Sequence, residues 1–231
     1  MDTNHNKIID KVYSNNGNQA ILELIEGEHM KILDVGCGAG DNARILARIG
    51  HMVDGITLSE SEALECRYIM KEVYVHNLEF GLPAQLKGQY DYIICSHVLE
   101  HIVYPENVLR DMRSQLKEGG KVVIALPNLM HYKSRIQLML GNFNYEDSGI
   151  WDNTHVKWYT FKTGMKLLVD NGYIVTKGFV DGDIPLLTLF RFLPSNFRKV
   201  IYKMLTSISK GLFGGQLIYL ASSNHAYTSD N

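Results

Sequence analysis

The chain has 231 residues, 45% hydrophobic and 21% charged, enough apolar material for one sizeable core and unlike a disordered or fibrous chain. Its 23 Lys and Arg stand against 25 Asp and Glu, a formal net charge of −2, so no uniform positive field exists to hold a phosphate backbone and nucleic acid is not an expected partner. Cys37, Cys66 and Cys95 are far apart with no C-x-x-C pair, which argues against a disulfide framework or a thiolate zinc site and fits a reducing compartment. The opening residues lack the positive and apolar regions of a secretory leader, and no stretch approaches the ~20 apolar residues that span a bilayer. A soluble, cytoplasmic protein is the expectation.

In chain order, short β-rich apolar runs alternate with longer stretches of helical periodicity. Lys31–Val35 reads as a first strand, followed by a helix carrying Ala43, Leu46 and Ala47. Met52–Leu58 is a second strand before a helix over Ser59–Met70, and Glu72–His76 a third. Tyr90–Ser96 precedes a helix over Pro105–Leu116, and Lys121–Leu126 is a fifth strand. Ile93-Ile94 and Val122-Val123-Ile124 are almost continuously apolar, as in parallel strands covered on both faces. Asp41 or Asn42 is the expected cap of the first of these helices, Ser59 that of the next, and Gly119-Gly120 the stop before the fifth strand.

A long polar and aromatic segment, Pro127–Tyr159, exceeds what a connector needs. A helix over Phe161–Asp170 and a strand over Tyr173–Val180 follow. Within 184–213 the spacing puts Phe197, Val200, Ile201, Met204, Leu205 and Ile208 on one face of a helix, with Arg198, Lys199, Lys203 and Lys210 elsewhere. Such a basic amphipathic helix suits a lid or a homodimer face more than peripheral membrane contact. Gln216–Ala221 is the last strand. The expected organisation is an N-terminal helical segment or lid over 1–30, a core over 31–183 and 214–223, the insertion over 184–213, and a polar tail over 224–231.

The chemistry concentrates in Asp34-Val-Gly36-Cys37-Gly38-Ala-Gly40, between the first strand and its helix, where glycines let a ligand press against the backbone. A dinucleotide fingerprint needs Gly or Ala at position 41; Asp41 stands there instead, unwelcome beside a pyrophosphate at a helix N-terminus. A ligand with an amino group and no phosphate fits better, and Asp34 is placed to meet that group.

These residues resemble motif I of the class I S-adenosylmethionine-dependent methyltransferases. Gln89–His101 is similar to that family's fourth strand and following turn, and Leu116–Ile124 to its helix end and fifth strand; the likeness runs from Lys31 to Leu126 and more loosely to Ala221. Bacterial small-molecule methyltransferases of the UbiG-like and MetW-like kind are the most similar, and Thr154–Thr160 has a counterpart among them. The resemblance implies an α/β, Rossmann-like, doubly wound seven-stranded sheet, mostly parallel with an antiparallel last strand and a helical insertion before it. S-adenosyl-L-methionine is the implied cofactor, over the carboxyl ends of strands one, two and four.

Carried over by position, the resemblance sets Gly36, Cys37 and Gly38 against the methionine portion and ribose, Asp34 on the amino group, and Asn77 and Leu78 beside the adenine. Thr57 and Leu58 end the second strand where many members carry a ribose-binding acid. The cyclopropane-synthase branch has Thr-Leu-Ser there with a polar residue three positions on, which makes Glu62 the candidate ribose ligand. Ser96 and His97 lie at the crevice beyond the fourth strand.

His97-Val-Leu-Glu-His101 matches an H-x-x-E-H zinc pattern, since histidines four apart share a helical face. Its setting after a buried parallel strand argues against a metal, and none is expected; His101 instead steadies its helix or touches the substrate pocket. His155 lies where a segment can close over substrate. If the acceptor is a hydroxyl, His155 or His101 is the candidate base. The reading is methyl transfer to an O, N or C atom of a small molecule such as a sugar or biosynthetic intermediate. The alternatives are a noncatalytic cofactor-binding partner of a biosynthetic enzyme and an NAD-dependent oxidoreductase.

Overall fold

A computed structural model describes residues 16–86, 88–182, 194, 197, 200, 201, 204–206 and 209–224. The first half of the expected N-terminal lid, most of the 184–213 insertion and all but the first residue of the tail fall outside the described residues; of the insertion, Phe197, Val200, Ile201 and residues 204–206 are helical. Among the described residues no helix is long and apolar enough to cross a membrane.

Seven strands form one sheet: β1 (Lys31–Val35), β2 (Met52–Thr57), β3 (Glu72–Val75), β4 (Tyr90–Ser96), β5 (Leu116–Pro127), β6 (Tyr173–Asp181) and β7 (Gln216–Ser223). Their spatial order is β3-β2-β1-β4-β5-β7-β6. All neighbours are parallel except β7, which runs antiparallel to both β5 and β6. The fold is therefore the expected Rossmann-like α/β sheet. Chain order reverses between β1 and β4, and the crevice above their carboxyl ends is where such a sheet receives a ligand.

Helices cover both faces. They are α1 (Gln19–Leu22), α2 (Asp41–Arg48), α3 (Glu60–Cys66), α4 (Pro105–Gln115), α5 (Tyr132–Met139) and α6 (Phe161–Asp170). Successive strand residues point to opposite sides, so Leu33, Val35, Ile93 and Cys95 pack with Val108, Leu109 and Met112 of α4 and Leu168 of α6. Ile32, Val53, Ile94 and Val123 pack with Ile21 of α1 and Ala43 and Leu46 of α2. Two buried faces explain why these strands read as unbroken apolar runs.

Local chemistry departs from the expected caps at two places. Gly40, at φ 82°, is the N-cap of α2, without a side-chain cap bond. Asp41 pairs instead with Arg44 at 2.9 Å, and the Asn42 side chain is drawn away to the Asn18 amide at 2.9 Å. Likewise α4 ends at Gln115 rather than at the glycine pair, because Leu116 is already extended and pairs with Tyr90. Gly119 and Gly120 serve an irregularity at the start of β5, where a Cβ on Gly120 would come within 2.9 Å of the Tyr90 carbonyl. Ser59 caps α3 as expected, accepting from the Glu62 amide, and Thr160 with Thr163 forms a capping box on α6.

Replacing the fully buried Ile93 of the central strand with Ala should cost about 2–5 kcal/mol, whereas Ile174→Ala on the half-exposed side of β6 should cost less than about 1 kcal/mol. Urea unfolding midpoints at equal slope check the contrast.

Candidate active site

The loop leaving β1 is built from backbone that tolerates little else than glycine. Gly36, Gly38 and Gly40 have φ of 76°, 52° and 82°. A Cβ on Gly36 would lie 2.3 Å from Cγ2 of Val98, so the turn after β4 is packed directly on the loop. The amides of Gly36 and Cys37 both donate to the Ile56 carbonyl at 2.9 Å, which ties the loop to β2. Cys37 is buried, and a hydrogen bond to Cys66 together with burial holds its thiol well above the ordinary range, in keeping with an unreactive residue chosen for size.

Asp34 closes β1 beneath this loop. It is 1% exposed, and its Oδ2 has no hydrogen-bond partner. Burial pushes its pKa up to about 7, a rise only partly opposed by the Asn42 side chain. An apolar burial of this kind leaves a carboxylate waiting for a positive donor.

At the end of β2, Thr57 is buried and its hydroxyl donates to Oε2 of Glu62, itself 4% exposed. The first turn of α3 thus brings Glu62 back to the strand end where an acid is missing from the chain at position 57. Leu58 stays partly exposed beside it. Asn77 ends the loop after β3, but its Oδ1 already accepts from the Glu79 amide at 3.0 Å, which leaves its NH2 group as the outward-facing function; Leu78 is buried next to it.

At the end of β4 a polar network crosses the crevice. Asn18 donates to Ser96 Oγ at 3.2 Å and to Gln216 Oε1 at 2.8 Å. His97 shares that oxygen through Nε2 at 3.0 Å, and Gln216 donates to Asp181 at 2.9 Å. His97 has φ of 56°, rare for a side chain of its size. Desolvation works against charge on its ring, but the Glu100 carboxylate, 3.4 Å from Nδ1, outweighs it and raises the pKa.

Beyond that turn the structure corrects the sequence spacing. Leu99–His101 is a single 3-10 turn, so His97 and His101 do not share an α-helical face. His101 meets His155 instead, with ring centroids 4.7 Å apart and edge to face. The two ends are held together by the Glu100 carbonyl, which accepts from the Val156 and Lys157 amides at 2.9 and 3.0 Å. His155 is 8% exposed; burial, then the neighbouring His101 ring, pull its pKa below the usual range. His101 approaches Thr154, whose hydroxyl donates to Asp152 at 2.6 Å.

The fold thus gathers Asp34, Gly36, Cys37, Gly38, Thr57 and Glu62 around one loop, and sets Ser96 and His97 across from it. His101 and His155 form a second group further along the same turn. Asn18, Asn42, Glu100 and Gln216 also belong here and are not read as site residues from the sequence, whereas Asp152 lies in the long segment around His155 that the sequence does point to. Glu100 had a signal, inside H-x-x-E-H; Asn18 and Gln216, 198 positions apart, had none.

The raised Asp34 pKa has a defined sign. The folded chain holds this proton from about pH 4 to about pH 7 while the unfolded chain has released it, so the contribution to stability is full below pH 4 and is lost as pH rises to 7. Between pH 4 and pH 8 the protein without ligand should lose on the order of 4 kcal/mol relative to Asp34→Asn, as read by urea midpoints.

Comparison with known proteins gives the family. A methyltransferase-domain family model matches residues 10–177. The ubiquinone biosynthesis O-methyltransferase of Chromobacterium violaceum is 34% identical over 110 residues, 42% of this chain and 44% of that protein. That of Shewanella sp. (strain ANA-3) is 28% identical over 171 residues, 71% and 72% of the two chains. The chain therefore spans less than half the length of the first of these relatives. Among solved structures, a SAM-dependent methyltransferase from Archaeoglobus fulgidus superposes with a TM-score of 0.60 at 21% identity, covering 83% of this chain and 85% of that one. Magnesium protoporphyrin IX methyltransferase from Synechocystis PCC 6803, with bound SAH, superposes with a TM-score of 0.56 at 16% identity, covering 94% and 82%. With most of its length inside the family model and the glycine loop at the sheet's switch point, the chain belongs to the methyltransferase-domain family, of the class I S-adenosylmethionine-dependent kind.

Proposed function

We propose that the protein is an S-adenosylmethionine-dependent O-methyltransferase acting on a hydroxyl of a small molecule. The observation that carries the reading is the buried Asp34 carboxylate, unsatisfied at Oδ2 beneath a loop with three left-handed glycines. That pairing suits a ligand offering an ammonium group and lying against the backbone. The names of the ubiquinone-biosynthesis relatives support oxygen as the acceptor atom. The nicotinamide reading has no such support, since Asp41 stands at the first turn of α2.

In this reading Asp34 takes the amino group, and Gly36, Cys37 and Gly38 seat the methionine portion. Glu62, with Thr57 beside it, takes the ribose hydroxyls. Asn77 offers its NH2 group to the adenine, flanked by Leu78 and Leu58. Ser96 and His97 border the methionine end. When bound, S-adenosylmethionine supplies an electrophilic methyl carbon on a sulfonium. The chain's part is to hold the acceptor oxygen in line with that carbon, and alignment of two bound reactants contributes up to about 7–11 kcal/mol. His101 and His155 act on the acceptor hydroxyl, whose proton must leave as the oxygen becomes an ether.

Titration calorimetry with S-adenosylmethionine and its demethylated product tests the donor half, and isotopically labelled methyl transfer to a panel of hydroxylated aromatics and sugars tests the acceptor half. Saturable binding and one labelled ether product are expected; binding of neither donor form rejects the reading, and binding without any labelled product across the panel turns it to a noncatalytic partner. Glu62→Ala should weaken donor binding by about 10- to 100-fold, the worth of a charge-assisted hydrogen bond. An unchanged dissociation constant would return the ribose to Thr57 and main-chain groups.

A further inference from the structure

Glu100 is the second carboxylate of this crevice with too few partners. It is 1% exposed, and among the described residues its one ionic contact is a long one, His97 Nδ1 at 3.4 Å from Oε1, with no partner of full hydrogen-bond geometry on either oxygen. Among the described residues, one Glu100 oxygen and one nitrogen each from His101 and His155 lie within 4.8 Å of one another. A buried anion facing two imidazoles favours further positive charge, since His97, half-exposed, meets it at one oxygen alone.

Each ring has its Nδ1 engaged by an oxygen, the kind of hydrogen bond that ligating histidines make through the nitrogen that does not bind metal. Thr154 Oγ1 spends its proton on Asp152 at 2.6 Å, so it accepts from His101 Nδ1 at 3.0 Å. His155 Nδ1 faces the Ile150 carbonyl at 3.2 Å, which can only accept. Both Nδ1 atoms are thereby protonated, and the lone pair of each ring is on Nε2. A carboxylate or carbonyl behind the distal ring nitrogen is the arrangement that orients a histidine on a metal. His101 reaches its carboxylate, Asp152, through the threonine hydroxyl.

We propose that Glu100, His101 and His155 form a site for one divalent transition-metal cation, Zn2+ or Mn2+, with its remaining coordination positions open toward the methyl acceptor. Two imidazoles and one carboxylate suit these ions and disfavour Mg2+, which prefers oxygen and water. Ligand atoms around such an ion stand roughly 3–3.5 Å apart, given bonds of ~2.0–2.2 Å, so the set closes by at most about 1.5 Å on binding. The loop carrying His155 is already pinned to the Glu100 carbonyl, so the closure is a matter of side chains. Only the occupant of the open positions, an acceptor oxygen, rests on the function proposed above; in that arrangement the histidines act on the hydroxyl through the cation rather than as bases.

The full chain, stripped with a chelator and dialysed, is titrated with Zn2+ and separately with Mn2+ by calorimetry, without methyl donor, and with Co2+ by visible absorption. One saturable equivalent is expected, weakened at least tenfold in Glu100→Gln and in His155→Gln and retained in the exposed His29→Gln, with circular dichroism unchanged in all three. No saturable binding by the wild-type chain overturns the site, as does binding that Glu100→Gln and His155→Gln both retain. Failure to bind S-adenosylmethionine would sink the proposed function and leave the metal site standing. Undiminished methyl transfer by a chelated chain that takes up no metal would do the reverse.

Discussion

A carboxylate that the chain itself does not satisfy is the constraint around which this molecule is organised. Asp34 is carried into the interior by β1, the central parallel strand flanked by β2 and β4, so it cannot reach water. Among the described residues it is met by one side chain, Asn42, and by no cation. The left-handed glycine at Gly36 lets the turn after β4 close on the loop, since any Cβ there would collide with Val98. Stability is given up at neutral pH to keep an anion ready, which is the common exchange between a preorganised site and a relaxed one.

Much of the sheet was legible because its strands obey a simple rule. Both faces are covered, so β4 reads as Tyr90–Ser96 from its apolar run alone, and α6 as Phe161–Asp170 from its periodicity and flanking polar residues. Errors fell where a glycine or a polar side chain had two uses. Gly119-Gly120 looked like a helix stop but shapes the entry to β5, because Leu116 pairs with Tyr90 before the glycines are reached. Asn42 looked like a cap but is recruited by Asn18 and Asp34 from outside its helix.

The loop residues are legible since they are contiguous; His101 and His155 are each legible as candidates, but that the two rings meet is not. H-x-x-E-H draws the eye to His97 and His101, yet that spacing is informative only on an α-helix, and the backbone here makes a left-handed residue and then a 3-10 turn. The partner His101 finds is 54 residues on, in a long aromatic segment with weak periodicity, held by Trp151 and Trp158 through bonds to Gln137 and the Ile150 carbonyl. Tertiary closure of this kind leaves no local trace in a sequence.

Val98 touches the α-carbon of Gly36 while its neighbours in the chain are His97, Leu99 and then Glu100. The glycine loop and the turn after β4 are consequently one mechanical piece, not two modules joined by a flexible link. A shift of a few tenths of an ångström in the first must displace the second, since close-packed atoms cannot absorb it. The Val98 isopropyl group is thus one of the points at which loop and turn are keyed together, and a smaller side chain there would loosen that contact while each remained intact.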